Sequence, residues 1–273
     1  MLKNKPKNLI AIDLDGTLLP KTKIISENSK NFLKNLESAG NLVVLASGRG
    51  YRNLLQYYDD IGLKSSPIVA HNGLYISHPK DIKFPVFCYE FDKELLNGLV
   101  HVMRPYATNI YYENLHGIYI EKPDEKLQQF FHYQDKPTKV GPLGNEISDT
   151  ALTLVFGLPV VNYKKEEITK KLKELYPEVE IRFWCDEKYC EIYKKENSKG
   201  ACIDKIAEIY DIDKKNIYAF GDNDNDLEII SAYPHSYLMK NGSDQMKPLA
   251  VNITEFSNEE DGVIKELQKH FKL

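Results

Sequence analysis

"IAIDLDGTLLP", residues 10–20, decides how the chain is read. An aliphatic run stops at two aspartates one residue apart, Asp13 and Asp15, and Gly16 and Thr17 follow at once. A continuous apolar strand of this kind belongs to a parallel sheet covered on both faces. Such sheets gather their ligands at the C-terminal ends of the strands. Two carboxylates delivered to that end repel each other, so a cation is expected beside them. A hard divalent ion such as Mg²⁺ takes oxygen ligands and suits one or two carboxylates together with a phosphate.

The neighbouring segments extend the parallel pattern. "SENSKNFLKNLESAG" (26–40) opens with a Ser cap, carries apolar residues at helical spacing and stops at Gly40. "NLVVLAS" reads as a second buried strand, "YRNLLQYYDDIG" as a helix and "PIVAHNG" as a third strand. The last third resumes the alternation. "SKGACIDKIAEIYDI" is a predicted helix, "NIYAFGD" a strand and "DNDLEIISAY" a helix. "HSYLMK", "GSDQMK" and "LAVNIT" read as strand, short helix and strand, and "SNEEDGVIKELQKHF" as a closing helix capped by Ser257 or Asn258. The middle differs. It is rich in Tyr and Phe, with strand candidates "FPVFCYEF", "ATNIYYEN", "GIYIEK", "ALTLVFG", "VEIRFWC" and "YCEIYKK", and helices near 93–104 and 163–175. "QDKPTKVGPLGNEISD" reads as an exposed connection. The prediction is an α/β fold: a Rossmann-like parallel-sheet core from residues 1–80 and 196–273, with an α+β domain inserted at 81–195.

Composition narrows the partners. The 273 residues carry a formal net charge of −4, which argues against a nucleic-acid partner. No apolar run approaches the roughly 18 residues of a membrane-spanning helix. The basic, then apolar, N-terminus is too short and too acidic for a signal peptide, so a cytoplasmic protein with no membrane partner is expected. Four cysteines (Cys88, Cys185, Cys190 and Cys202) are too sparse for a disulfide framework, and they read as buried thiols in a reducing compartment. Cys185 and Cys190 lack the partners that structural zinc needs.

A third acidic site lies in "YAFGDNDND" (218–226), again a strand ending in acids: Asp222, Asp224 and Asp226. The spacing opens like a calcium loop, but its sixth position is Leu227 rather than Gly and its twelfth is Tyr233 rather than Glu. Two segments suit an anion. "ASGRG" (46–50) sets the Ser47 hydroxyl and the Gly48 N–H at a helix start. "NSKGA" sets Lys199 at another. There is no Walker A loop, and "GRGYRN" lacks the last glycine of a dinucleotide fingerprint.

"DLDGTLL", "SGR", "SKGA" and "GDNDND", in this order, resemble the four motifs of the haloacid dehalogenase (HAD) superfamily of phosphohydrolases. The insertion between the second and third motifs resembles the cap of its Cof-type, class IIB members. "CEIYKKENSKG" and "NEEDGVIKEL" are similar to that subfamily around the third motif and at the C-terminus. The resemblance implies a Mg²⁺-dependent phosphatase for small phosphomonoesters, sugar phosphates or related metabolites, working through an aspartyl phosphate. It implies Asp13 as nucleophile and Asp15 as acid and then base. The metal would be held by the Asp13 carboxylate, the Asp15 backbone carbonyl and Asp222. Leu14 N–H, Ser47, Gly48, Lys199 and Asn225 would bind the phosphoryl oxygens. Asp226 would hold Lys199 or complete the metal's outer shell. Ser47 replaces the usual Thr but keeps the hydroxyl. Lys240 replaces a small residue, which puts close packing beside the site in question.

Other residues are read more plainly. Asp224 is expected as a surface acid and His71 as a packed histidine. Arg49 and Arg52 either assist the site or form surface ion pairs, and Asn72 and Gly73 either touch substrate or make a turn. Tyr111, Tyr112, Tyr119 and Trp184 are candidates to stack on substrate, with core packing favoured for most. The rival functions are a phosphomutase on the same core, a non-catalytic metabolite-binding protein and a phospho-accepting receiver. The long insertion and a second, proton-shuttling aspartate argue against the last.

Overall fold

The computed structural model describes residues 6–131, 138–143, 147–159, 164–184, 188–195 and 197–272. The chain divides into two compact units, one running through Phe87 and again from Ser198, the other Cys88–Asn197. The second unit is thus an insertion in the sequence of the first.

The first unit is built on an eight-stranded sheet. Its strands are β1 (Leu9–Ile12), β2 (Leu42–Ala46), β3 (Ile68–Ala70), β4 (Tyr75–Ser77), β5 (Phe87–Cys88), β12 (Ile217–Gly221), β13 (His235–Leu238) and β14 (Asn252–Ile253), in the order β14-β13-β12-β1-β2-β3-β4-β5. All pairs from β14 to β3 are parallel, and β4 returns antiparallel. Every residue of β1 and β2 is buried, as strands covered on both faces require. Leu9, Ala11, Val44 and Ala219 share one face with Ile203 and Ile206 of α6 (Lys199–Ile209) and Ile229 and Ile230 of α7 (Leu227–Ser231). The remaining helices of this unit, α1 (Glu27–Ser38), α2 (Tyr51–Ile61) and α8 (Gly262–His270), pack through α1, which touches both others.

The inserted unit holds a six-stranded sheet in the order β10-β11-β9-β6-β7-β8. Its strands are β6 (Asn109–Glu113), β7 (Ile118–Ile120), β8 (Thr138–Val140), β9 (Thr153–Gly157), β10 (Val179–Phe183) and β11 (Tyr189–Lys194). Its helices are α3 (Lys93–Met103), α4 (Glu125–Phe131) and α5 (Lys165–Leu175). Tyr111, Ile118, Ile120, Val155 and Tyr189 pack with Leu127 and Phe131 of α4, and Trp184 leans on this cluster. Tyr111 and Tyr112 are core, and Tyr119 stacks on Tyr112 at 4.4 Å. An α/β architecture with a parallel-rich core sheet and a second, mixed, inserted sheet is therefore present.

Several local readings change. "FPVFCYEF" supplies only the two-residue β5, and that strand extends the first unit's sheet rather than the insertion's. Part of the expected loop "QDKPTKVGPLGNEISD" is β8, paired parallel with β7; residues 134–137 and 144–146 of it lie outside the described set. Helix α4 carried no strong sequence signal because it is short. "GSDQMK" is a turn, with a 3₁₀ segment only from Lys247 to Leu249. The closing helix is broken. Ser257 and Glu260 form a capping box on one 3₁₀ turn, Asp261 adopts φ 56°, and α8 starts at Gly262. The break is held because Asp261 accepts hydrogen bonds from the Ser26 and Ser29 hydroxyls. Of the cysteines, Cys190 and Cys202 are buried thiols pushed up to about 12 by burial, Cys88 is exposed, and Cys185 lies outside the described residues.

Ile206 is fully buried in the larger core and anchors the helix that begins at Lys199. Ile206→Ala is expected to destabilise the first unit by about 2–5 kcal/mol, read as a lowered urea midpoint.

Candidate active site

Strand β1 lies between β12 and β2, with Ile12 level with Phe220 on one side and Leu45 on the other. The residues that follow these strands, Asp13, Asp222 and Ser47, therefore emerge side by side at one end of the sheet. The Asp13 N–H continues the ladder by donating to the Phe220 carbonyl at 3.1 Å. The chain then turns sharply, with Leu18 N–H on the Asp13 carbonyl and Leu19 N–H on that of Leu14. Gly16 makes this turn possible. Its φ is +82°, and a Cβ there would lie 2.2 Å from an Asp222 carboxylate oxygen. Thr17 Oγ1 donates to Asp222 Oδ1 at 3.4 Å.

Carboxylate oxygens of Asp13, Asp222 and Asp226 lie within 4.8 Å of one another. Lys199 is driven into this group. Its Nζ donates to Asp13 Oδ1 at 2.6 Å and Asp226 Oδ1 at 2.7 Å, with the side chain wholly buried. Helix α6 starts there because Ser198 caps it, accepting from Ala201 N–H. Gly200 lets that first turn meet α7 closely, since a Cβ would lie 2.5 Å from Glu228 Cβ. The other oxygen of Asp226 accepts from the N–H groups of Asp222 and Asn223. Asp226 thus holds Lys199 and shapes its own turn. Asp224 is exposed.

Three carboxylates against one ammonium leave an excess of negative charge in a buried place. Burial raises the Asp13 pKa well above the ordinary carboxylate range, and the charges of Asp226 and Asp222 add to it against Lys199. Burial, helped by Asp226, pushes Asp222 up to about 7. Lys199 goes up too, because its two carboxylate partners overcome the burial that opposes its charge. An all-oxygen donor set with surplus negative charge fits a hard divalent cation. Asp13 and Asp222 are the members with oxygens least committed within the chain.

Asp15 has a different environment. Arg49 grips it with Nε on Oδ2 at 2.6 Å and a terminal nitrogen on Oδ1 at 2.8 Å, and Lys23 Nζ reaches Oδ1 at 2.6 Å. Burial works to raise the Asp15 pKa, but Arg49 and then Lys23 outweigh it and hold the group down to about 2. Arg49 thus belongs to the site, whereas Arg52 is exposed.

Ser47 is buried, and its Oγ accepts from Arg49 N–H at 3.2 Å. Asn72 ties this corner to the acidic turn. Its N–H donates to the Ser47 carbonyl, its side chain lies against Gly48, and its Oδ1 accepts from Asn225 Nδ2 at 3.2 Å. Leu14 is fully buried between the two acids. His71 is packed, its Nε2 accepting from Tyr51 N–H at the start of α2. Lys240 does not crowd the carboxylates: its amine is half exposed and lies 4.0 Å from Glu260. Sequence reasoning missed Lys23, which has no motif around it. It also missed Asn241, beside Lys240, which donates to the Gly16 carbonyl at 2.7 Å and accepts from Asn258 N–H.

A family model described as haloacid dehalogenase-like hydrolase matches residues 10–267. The chain belongs to this family. It is 32% identical over 271 residues to 5-amino-6-(5-phospho-D-ribitylamino)uracil phosphatase YitU of Bacillus subtilis, covering 97% of this chain and 98% of that protein. It is 26% identical over 272 residues to pyridoxal phosphate phosphatase YbhA of Escherichia coli, covering 96% and 98%. Its fold matches that of the HAD subclass IIB sugar phosphatase BT4131 with a TM-score of 0.77 at 21% identity, over 97% and 99% of the two chains. The chain is a phosphatase of this family, and its fold is that of the class IIB branch. Among its described residues no helix is long and apolar enough to cross a membrane.

The carboxylate cluster predicts a pH dependence. With Asp222 raised to about 7, the folded state binds more protons than the unfolded state above about pH 4, so its ionisation costs stability. After EDTA treatment, the thermal midpoint is expected to fall as pH rises from about 5 to about 8. Added divalent cation should restore it at the upper pH and do little at the lower. Burial lowers the pKa of His78 and His235, which act in the opposite sense over this range. The check is therefore the metal-free midpoint of the parent minus that of Asp222→Asn, and a difference that climbs with pH would contradict the reading.

Proposed function

We propose that the chain is a Mg²⁺-dependent phosphatase that forms an aspartyl phosphate on Asp13. The observation that carries this reading is the convergence of Asp13, Asp222, Asp226 and Lys199 from three separated segments at one end of the sheet. Asp13 and Asp222, with the Asp15 backbone carbonyl, are the groups assigned to Mg²⁺. When bound, the ion neutralises the phosphoryl oxygens and the carboxylates that face them. The chain's own groups do the rest. Asp13 attacks phosphorus, and its bond to phosphorus forms as the bond to the ester oxygen breaks. Lys199, the Ser47 hydroxyl, the Leu14 and Gly48 N–H groups and Asn225 are assigned to the transferring oxygens. Phosphoryl transfer asks mainly for such positioning and charge neutralisation.

Asp15 is assigned the proton. With Arg49 and Lys23 against it, it rests as a carboxylate, the form that takes a proton from the hydrolytic water in the second half-reaction. In the first half-reaction it must donate. An arriving phosphate dianion raises its pKa by charge repulsion and so favours that protonated form. The substrate class supported by the relatives is a phosphorylated metabolite with an alkoxide leaving group, such as a ribityl or pyridoxal phosphate, with sugar phosphates the wider class.

Asp13→Asn is expected to lower phosphate release from p-nitrophenyl phosphate by more than about 10³-fold, with an unchanged far-UV circular dichroism spectrum. Asp222→Asn should instead shift the Mg²⁺ concentration needed for half-maximal rate upward. Normal turnover by the Asp13 variant would overturn the assignment of the nucleophile.

A further inference from the structure

Lys23 lies in the loop between β1 and α1, in "LPKTKIIS" (19–26). It is a lysine with a backbone φ of +59°, a conformation that L side chains other than Asn and Asp seldom adopt. Its N–H closes a turn on the Pro20 carbonyl at 2.9 Å. Strain of this kind persists where the surroundings over-determine it, and here they do. Asn258 Nδ2 donates to the Leu19 carbonyl at 2.8 Å, and Glu259 Oε1 accepts from Lys21 N–H at 2.8 Å. Asp261 accepts from Ser26 and Ser29. The segment preceding α8 therefore fixes the loop on both sides of Lys23.

The fixed loop delivers the Lys23 ammonium to Asp15 Oδ1 at 2.6 Å. Arg49 alone would leave the two Asp15 oxygens equivalent, one donor on each. A carboxylate has about four acceptor sites, two on each oxygen. Lys23 breaks the tie by placing a second donor on Oδ1, so the remaining site is on Oδ2.

We propose that Lys23 is a positioning residue that saturates Asp15 Oδ1 and makes Oδ2 the oxygen that exchanges the proton. In the first half-reaction the proton on Oδ2 passes to the leaving alkoxide as its bond to phosphorus breaks. In the second, Oδ2 takes a proton from water while the water oxygen bonds to phosphorus and the bond to Asp13 breaks. The assignment rests on the acid–base reading of Asp15 above. It goes beyond that reading by adding a residue outside the four motifs and by tying the C-terminal segment to proton transfer.

The test is leaving-group dependence in the Mg²⁺-loaded enzyme. A p-nitrophenolate departs with little need of a proton, whereas an alkoxide needs one. Lys23→Met keeps the aliphatic stem and loses the ammonium. It is expected to lower kcat/KM, which reports only the steps through departure of the leaving group, by about 10-fold or more for an alkyl ester such as pyridoxal 5′-phosphate and by about 3-fold at most for p-nitrophenyl phosphate, whereas a loss in the shared second half-reaction lowers kcat for both alike. Lys23→Arg should recover most of the alkyl-ester rate, and the thermal midpoint of both variants should match that of the parent. Equal losses of kcat/KM on both esters, a rise in KM alone or a Lys23→Met enzyme like the parent would each overturn the proposal. The last is the result for an inert exposed ion pair. Asp15→Asn separates the two levels. If it keeps alkyl-ester turnover, the acid–base reading falls and takes the proposal with it. If it loses that turnover while Lys23→Met does not, the role of Lys23 alone is refuted.

Discussion

The buried contact of Lys199 with Asp13 and Asp226 is the interaction on which the rest of the site depends. A lysine with no exposed side-chain surface is tolerable only when its charge is met, and here two carboxylates meet it at 2.6 and 2.7 Å. Removing Lys199 leaves its carboxylates uncompensated in the interior, at a cost of roughly 3–5 kcal/mol. The contact therefore locks together three stretches: the end of β1, the start of α6 and the turn after β12. It also leaves the cluster short of positive charge, which is the physical reason a hard cation belongs there.

Geometry separates the two aspartates of the first motif. They are one residue apart, yet Asp13 faces two other carboxylates and a lysine while Asp15 faces an arginine and a lysine. Burial acts on both, and the neighbours decide the outcome: one pKa goes up and the other goes down. Divergent environments for two adjacent acids are what a division of labour between nucleophile and proton carrier requires. Gly16 permits the divergence, because only a residue without Cβ passes over Asp222 at that turn.

A second layer supports the first. Asn72 joins the Ser47 corner to Asn225, Asn241 holds the Gly16 carbonyl, and residues 258–261 hold the loop that carries Lys23. Each is a polar side chain that satisfies backbone or side-chain groups in irregular segments, where no sheet or helix partner exists. Their work is to keep loop residues within the tolerance that in-line transfer demands.

The sequence by itself determined the alternation of buried strands and helices in the first unit, because continuous apolar runs and helical spacing are local signals. It also determined which residue types stand at the strand ends, and hence the family. Tertiary structure alone decided the rest. The assignment of β5 to the first sheet and of residues 138–140 to the inserted sheet depends on which edges were open, a non-local matter. The break at Asp261 depends on hydroxyls from residues more than two hundred positions earlier. The engagement of Asp15 by Lys23 is likewise invisible along the chain, and the structure decides that Arg49 joins it there, since an ion pair forms wherever folding sets two charges within about 4 Å.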